Sequence, residues 1–291
     1  MFFDFIWGKG TKITNFLQKN SLISDEFRNL LRSFAHFFIK DPEERIIELN
    51  YGFLMLTPAG HKGSRSYKNG TYEDALFNFV QKHTHKEEII IDIGAALGYY
   101  TLMFSKAVGK SGKVYSFEPE KNAYSYLKKN ISINNIQNVE TFNLAVDDKD
   151  GEASFLKTSN FQNNKSNWGG SISRIESDLK VKTCSIDNLN LQNVDWIKLD
   201  VDGNEFRILK GMNQLIEKSN NIKLIMEFDS DIIKKNNTKL DINKTYEYLA
   251  SAFEFALVCE ENYKYLDLNK KDILKNIKGH KNLIFFKNKN I

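Results

Sequence analysis

The stretch IIIDIGAALGYYTLMFSKAVGKSGKVYSFEPE, residues 89–120, decides the fold. It opens on Ile89–Ile93, apolar but for Asp92, which reads as a buried strand. Gly94 and Gly98 bound a tight turn, and Tyr99–Val108 follows with Tyr99, Leu102 and Met103 on one helical face. Val114–Glu118 is a second strand and ends on an acid. Strand, helix and strand in this order form a right-handed crossover between parallel neighbours.

The alternation continues outward. Ala123–Ile133 reads as a helix carrying Tyr124, Leu127 and Ile131, and Val139–Val146 as a strand. Asp195–Val201 and Ile222–Phe228 are further strands, with a helix over Glu205–Glu217 between them. FEFALVCEEN (253–262) and KNLIFFKNKN (281–290) form a closing antiparallel pair. The expected fold is α/β and Rossmann-like: a mostly parallel seven-stranded sheet, helices on both faces and an antiparallel C-terminal strand.

Two regions depart from this rhythm. Residues 1–70 read as a helical and irregular N-terminal extension, in which Ser24 caps a helix with Phe27, Leu30, Leu31 and Phe34 at helical spacing. Residues 71–291 form the main domain, with an insertion over 151–190. Inside the insertion, GEASFLK (151–157) and LKVKTCSI (179–186) are short strands. The polar, glycine-bearing segment between them is too long for a plain connection, so residues 157–180 read as a lid. Trp168 and Ser171 are its candidate substrate contacts, with the indole placed to stack on a sugar face.

A glycine turn between a strand and a helix lets backbone N–H groups approach a ligand. The dinucleotide fingerprint G-x-G-x-x-G is broken, because Ala96 and Tyr99 stand in its second and third glycine positions. A phosphate-cradling lysine is also missing. What remains is Asp92-x-Gly94-x-x-x-Gly98, with Ala95 in the turn, and an acid before the glycine suits a cationic ligand lacking a pyrophosphate. S-adenosylmethionine, a sulfonium nucleoside, meets that description. Glu118 lies 20 residues past Gly98, where an acid accepts ribose hydroxyls. Ala145 and Asp147 end the third strand, where an adenine would lie. Each acid alone could be a solvated turn residue; three at successive strand ends argue for a site.

Five segments resemble FkbM-family methyltransferases: IIIDIGAALGYYT (89–101), GKVYSFEPE (112–120), NLAVDDKDGEASF (143–155), WIKLDVDGNEFRILKG (196–211) and IKLIMEF (222–228). YED (72–74) also resembles a family segment that precedes the first strand. Two positions differ from the family pattern: Ala96 stands where Asn is usual, and Asp202 where Glu is usual. The resemblance implies methyl transfer from S-adenosylmethionine, most often to a hydroxyl of a sugar, polyketide or similar metabolite.

An alcohol acceptor gains from a base. Asp200 ends the fourth strand and Glu227 the fifth, with Asp202 close behind Asp200; these three are the candidate catalytic acids. No ligand spacing demands a metal, so a metal-free site is expected. His83 and His85 read as part of a solvated linker between lysines. The rival readings are nitrogen methylation of a peptide or small molecule, and a catalytically silent binding module, which Ala96 favours.

Bulk properties narrow the partners. The chain has 291 residues, and its net charge of +4 arises from 41 basic against 37 acidic side chains. So even a balance argues against nucleic acid, and no apolar run approaches the ~20 residues of a membrane helix. A small-molecule or glycan acceptor is expected, with the N-terminal region as a candidate surface for self-association. Cys184 and Cys259 read as buried free thiols, in keeping with a reducing, cytoplasmic setting.

Overall fold

The computed structural model describes residues 43–157, 170–173, 176–201, 205–229 and 239–288, apart from 62, 261–262, 271–272 and 278. Asp202, Trp168, the helix expected after Ser24 and most of the expected lid lie outside these residues.

The N-terminal part opens with an antiparallel hairpin, β1 (Arg45–Glu48) and β2 (Leu54–Thr57), then two helices, α1 (Ser64–Asn69) and α2 (Asp74–His83). The central unit follows as β3 (Ile89–Ile93), α3 (Tyr99–Val108), β4 (Lys113–Phe117), α4 (Lys121–Ile133) and β5 (Val139–Phe142). Four short strands come next: β6 (Ala145–Val146), β7 (Gly151–Lys157), β8 (Gly170–Ser173) and β9 (Lys180–Cys184). The second half holds β10 (Trp196–Leu199), α5 (Glu205–Lys210), α6 (Asn213–Lys218), β11 (Lys223–Asp229), α7 (Lys239–Ala252), β12 (Phe255–Val258), β13 (Lys264–Asp267) and β14 (His280–Phe286).

The main sheet runs β13-β12-β14-β11-β10-β3-β4-β5. Its five strands from β11 to β5 are parallel, and β14 pairs antiparallel with both β11 and β12. Both faces are buried, as the apolar run in β3 demands. Ile91 and Ile93 enter one core with β10, β11 and α5–α7, while Ile90 enters the other with α2 and α3. Strand order reverses between β3 and β10: the chain moves from β3 to β4 and β5, then returns to the other side of β3. The crevice at such a reversal, beyond the carboxyl ends of the strands, is where open α/β sheets bind ligands.

The structure refines the expected elements. The sheet has eight strands because β13, in a stretch expected to be loop, adds an antiparallel edge to β12. The expected strand 139–146 divides: β5 stays in the main sheet while β6 turns away to pair with β9. With β7 and β8 these make a second, four-stranded sheet, which contains the insertion. The expected helix 205–217 also divides. The Gly211 carbonyl accepts from Asp187 N and Ser185 Oγ, so it leaves the helical ladder. The Asp187 carboxylate then caps α6 by accepting from Gln214 N and Leu215 N, at 3.0 and 2.9 Å.

Where the pattern predicts helix and irregular chain, residues 45–57 form the hairpin. Its apolar residues Ile47, Leu49 and Met55 share a cluster with Leu76, Leu102 and Phe104, so the expected boundary at residue 70 crosses one continuous core. Asn130 on α4 fastens the two parts. Its Oδ1 accepts from Leu56 N at 2.6 Å, and its Nδ2 donates to Leu56 O at 3.1 Å and Leu97 O at 2.8 Å. The side chain is fully buried. Asn130→Leu leaves three backbone groups without partners, an expected loss of about 3 kcal/mol. Thermal melting should fall by roughly 5–10 °C; a shift within about 1 °C would mean that water or a neighbour replaces the amide.

Candidate active site

The turn after β3 is built by close contact. Gly94 has φ +83°, and a Cβ there would lie 1.9 Å from the carbonyl oxygen of Asp200. Gly98 has φ +96°, and its Cβ would lie 2.7 Å from Leu127. Neither position accepts a side chain. Gly94 N and Ala95 N both donate to Phe117 O at 3.0 Å, which folds the turn over the end of β4. Ala96 sits between them at φ +48°, a left-handed conformation that Asn tolerates better than Ala. The usual Asn of the family therefore suits this backbone.

Glu118 lies directly under this turn. Its Oε2 accepts from Ala96 N at 2.9 Å and its Oε1 from Glu120 N at 2.8 Å. Each oxygen keeps a lone pair for a further donor. Burial pushes the carboxyl up to about 7, against the pull of the Glu120 and Ala96 amides. Glu120 caps α4 through Ala123 N and pairs with Lys157 of the second sheet at 3.0 Å.

Asp92 lies deeper than a strand-end reading suggests. It is fully buried, with Oδ2 accepting from the Thr101 hydroxyl at 2.6 Å. Its Oδ1 is buried without a hydrogen-bond partner. Burial raises its pKa, opposed by the Lys198 ammonium and the Thr101 bond. Asp147 is also buried, and its oxygens are engaged: Oδ2 accepts from Arg207 at 2.5 Å, and Oδ1 from Asp148 N at 2.9 Å. It anchors α5 to the end of β6.

An apolar cleft runs between the two sheets, lined by Gly94, Phe117, Ala145, Phe155, Ser171 and Ile172 among others. It encloses about 30 Å³ of free space, room for one or two waters. Ser171 thus sits with Gly94 and Ala145, and not among the acids of β10 and β11. β8 covers the cleft.

Across Gly94 the surroundings turn polar. Lys198 on β10 is 3% exposed and donates to Asp200 Oδ2 at 2.5 Å. Burial raises the Asp200 carboxyl, but Lys198 and a hydrogen bond from Glu227 outweigh it and hold it below its usual range. Burial and the adjacent Asp200 carboxylate push Glu227 strongly the other way. The two neighbouring acids are thus shifted in opposite directions. The Lys198 ammonium also lies 4.5 Å from the centre of the Tyr100 ring. Tyr100 donates to Glu73 Oε2 at 2.6 Å, and His280 Nδ1 lies 3.0 Å from Glu227 Oε1. Tyr67 stacks on Tyr99 with centroids 4.4 Å apart, and Tyr72 meets both edge-on.

The structure therefore brings Gly94, Ala95 and Glu118 together beside β4, and Asp200 with Glu227 beside β10. Lys198, Glu73, Tyr100, His280 and Arg207 complete the site without having been singled out. Lys198 left a signal, a lone lysine within the apolar run Trp196–Leu199 and two residues before Asp200. Such spacing puts both side chains on one side of a strand. No helix among the described residues is long and apolar enough to cross a membrane.

A family model described as the Methyltransferase FkbM domain matches residues 92–265, more than half of the chain. No curated protein matches it. Among solved structures, an FkbM methyltransferase from Methylobacillus flagellatus is 15% identical with a TM-score of 0.43. The match covers 69% of this chain and 43% of that one, so the present chain spans under half of its length. An S-adenosylmethionine-dependent O-methyltransferase from Thermotoga maritima is 11% identical, with a TM-score of 0.40 over 87% of this chain and 96% of that one. A Pyrococcus abyssi tRNA (uracil-54, C5)-methyltransferase, in complex with S-adenosyl-L-homocysteine, is 13% identical with a TM-score of 0.43, over 84% and 44%. At these identities and TM-scores the structural likenesses carry no argument. The family match is of another kind: it runs from Asp92 on β3 to Tyr265 on β13, through the glycine turn, Glu118, Asp200 and Glu227, and the chain belongs to the FkbM methyltransferase family.

Proposed function

We propose that this protein transfers the methyl group of S-adenosylmethionine to a hydroxyl oxygen of a sugar, glycan precursor or similar small metabolite. One observation carries the reading. The carboxyl edge of the sheet holds Glu118, anchored by two backbone amides, on one side of Gly94 and the Asp200 carboxylate, paired with buried Lys198, on the other.

The residues fit the cofactor. The glycine turn admits a ligand close to the backbone, Asp92 Oδ1 is a buried acceptor lacking a donor, and the cleft beside Ala145 is apolar. When bound, S-adenosylmethionine supplies an electrophilic methyl on a sulfonium. Glu118 accepts the ribose hydroxyls, its orientation fixed by two backbone amides. Gly94, Ala95, Gly98 and Ala145 shape the nucleoside side. Arg207 holds Asp147, which lines that side as a fixed dipole more than as a free acceptor. Asp200 takes the acceptor's hydroxyl proton as the C–O bond forms and the C–S bond breaks. Lys198 keeps Asp200 ionised and oriented, and Glu227 returns a hydrogen bond to it.

Glu118 makes cofactor binding depend on pH. Only the carboxylate accepts both hydroxyls, and it forms above about 7. Affinity for S-adenosylmethionine should therefore be about tenfold weaker at pH 6 than at pH 8. Glu118→Gln should bind weakly at both values. The same shift sets stability: the folded-state pKa lies above the unfolded one, so the stabilising contribution is present below pH ~4.5 and lost as pH rises through about 7. Equal calorimetric affinity for the wild type at pH 6 and 8 would remove Glu118 from the ribose site.

Asp200→Asn should lower turnover at least ~100-fold, the usual scale of general-base assistance. Cofactor affinity should change little. Melting temperature should fall as well, because buried Lys198 loses its ion-pair partner; turnover is therefore compared per folded molecule. If Asp200→Asn keeps near-normal turnover and Glu227→Gln abolishes it, the base is Glu227. Mass spectrometry and NMR of the product distinguish a methyl ether from a methylated nitrogen.

A further inference from the structure

Three side chains beside Asp200 converge from distant parts of the chain. Glu73 stands at the start of α2, Glu227 near the end of β11, and His280 opens β14. One ligand atom from each can be chosen so that all lie within 4.8 Å of one another. The arrangement follows from the sheet. In the antiparallel pairing of β11 with β14, Glu227 faces Asn282 and Asp229 faces His280. Glu227 and His280 are therefore diagonal neighbours on one face. Glu73 reaches the same spot from α2 and is held by the Tyr100 hydroxyl.

We propose that Glu73, Glu227 and His280 bind one divalent transition-metal ion of the Mn2+ or Zn2+ type. Two carboxylate oxygens and one imidazole nitrogen form a mixed donor set that suits such ions. Mg2+ prefers oxygen ligands and water. The charges agree. Glu73, Asp200 and Glu227 place three carboxyl groups around a region where Lys198 is committed to Asp200. His280 is half exposed, so an ion has a path in from solvent. Three protein ligands leave coordination positions open. On the reading of the protein as an O-methyltransferase, those positions take the acceptor's oxygens, and neighbouring hydroxyls of a sugar are the group that would chelate. Glu73 and His280 lie outside the stretch matched by the family model.

The test needs neither cofactor nor acceptor. The full chain is stripped with a chelator, desalted and titrated with Mn2+, with free ion followed by electron paramagnetic resonance. One saturable site per chain is expected. His280→Ala and Glu73→Gln should each weaken it at least about tenfold, with circular dichroism unchanged. Zn2+ should displace Mn2+ at far lower concentration than Mg2+ does. Absence of saturable binding in the wild type overturns the proposal, as does equal binding by both variants or displacement by Mg2+ as readily as by Zn2+. Should either variant misfold, Glu73→Asp and His280→Asn retain the shape more closely, and unchanged binding in both overturns it as well. Failure here leaves the methyl-transfer assay untouched, and loss of methyl transfer with the site intact would instead sink the acceptor reading.

Discussion

A methyl group on residue 94 would sit 1.9 Å from the carbonyl oxygen of Asp200, and the rest of the site depends on that lack of space. β3 and β10 are parallel neighbours, so their carboxyl ends lie side by side. Gly94 lets the chain leave β3 while pressed against the end of β10, and its positive φ then turns the backbone toward β4. Two consequences follow at once. The amides of Gly94 and Ala95 close on Phe117 O, which brings Ala96 N over Glu118. Asp200 is fixed by the same contact at the point where strand order reverses. One glycine thus joins the Glu118 side of the crevice to the Asp200 side.

Buried charge is the second constraint. Asp92, Lys198 and Asp200 lie on adjoining strands, and Asp92 is the register partner of Lys198. Burial alone would drive the lysine to neutrality. The carboxylates of Asp200, Asp92 and Glu73 outweigh that and raise its pKa. An ion pair this deep is a poor source of net stability, since the desolvation of both ions offsets their attraction. Its value lies in specification. Lys198 ties the first and fourth strands of the alternation together electrostatically and leaves Asp200 charged at the end of β10. Burial, and then the neighbouring Asp200 anion, push the Glu227 carboxyl the other way.

Much of this was legible in residues 89–120 because the signals there are local. An apolar run, two glycines and a helical stripe each constrain their own neighbours, and the acids at Glu118, Asp200 and Glu227 stand where runs of that kind end. What was hidden depends on register between distant segments. His280 reaches Glu227 only through the antiparallel pairing of β11 with β14, and no local period records that pairing. Glu73 lies in a recognised triplet, yet its role needs α2 to lie against α3 so that Tyr100 can hold it. The hairpin 45–57 had a readable turn at Asn50, Tyr51 and Gly52, but its strands are four residues each and resemble irregular chain. The break at Gly211 lies in the loop that captures its carbonyl, not in the helix itself.

The two halves of the crevice differ in the way their proposed chemistry requires. The side beside Ala145 is apolar and narrow, with β8 of the insertion along it. The acceptor side carries Asp200, Glu227, Glu73, Lys198 and His280, with tyrosine rings beside them. Asp200 is kept anionic by a lysine that is itself buried. On the proposed reading the acid is therefore prepared before any ligand arrives, and preparation of that sort is what an in-line transfer asks of a protein.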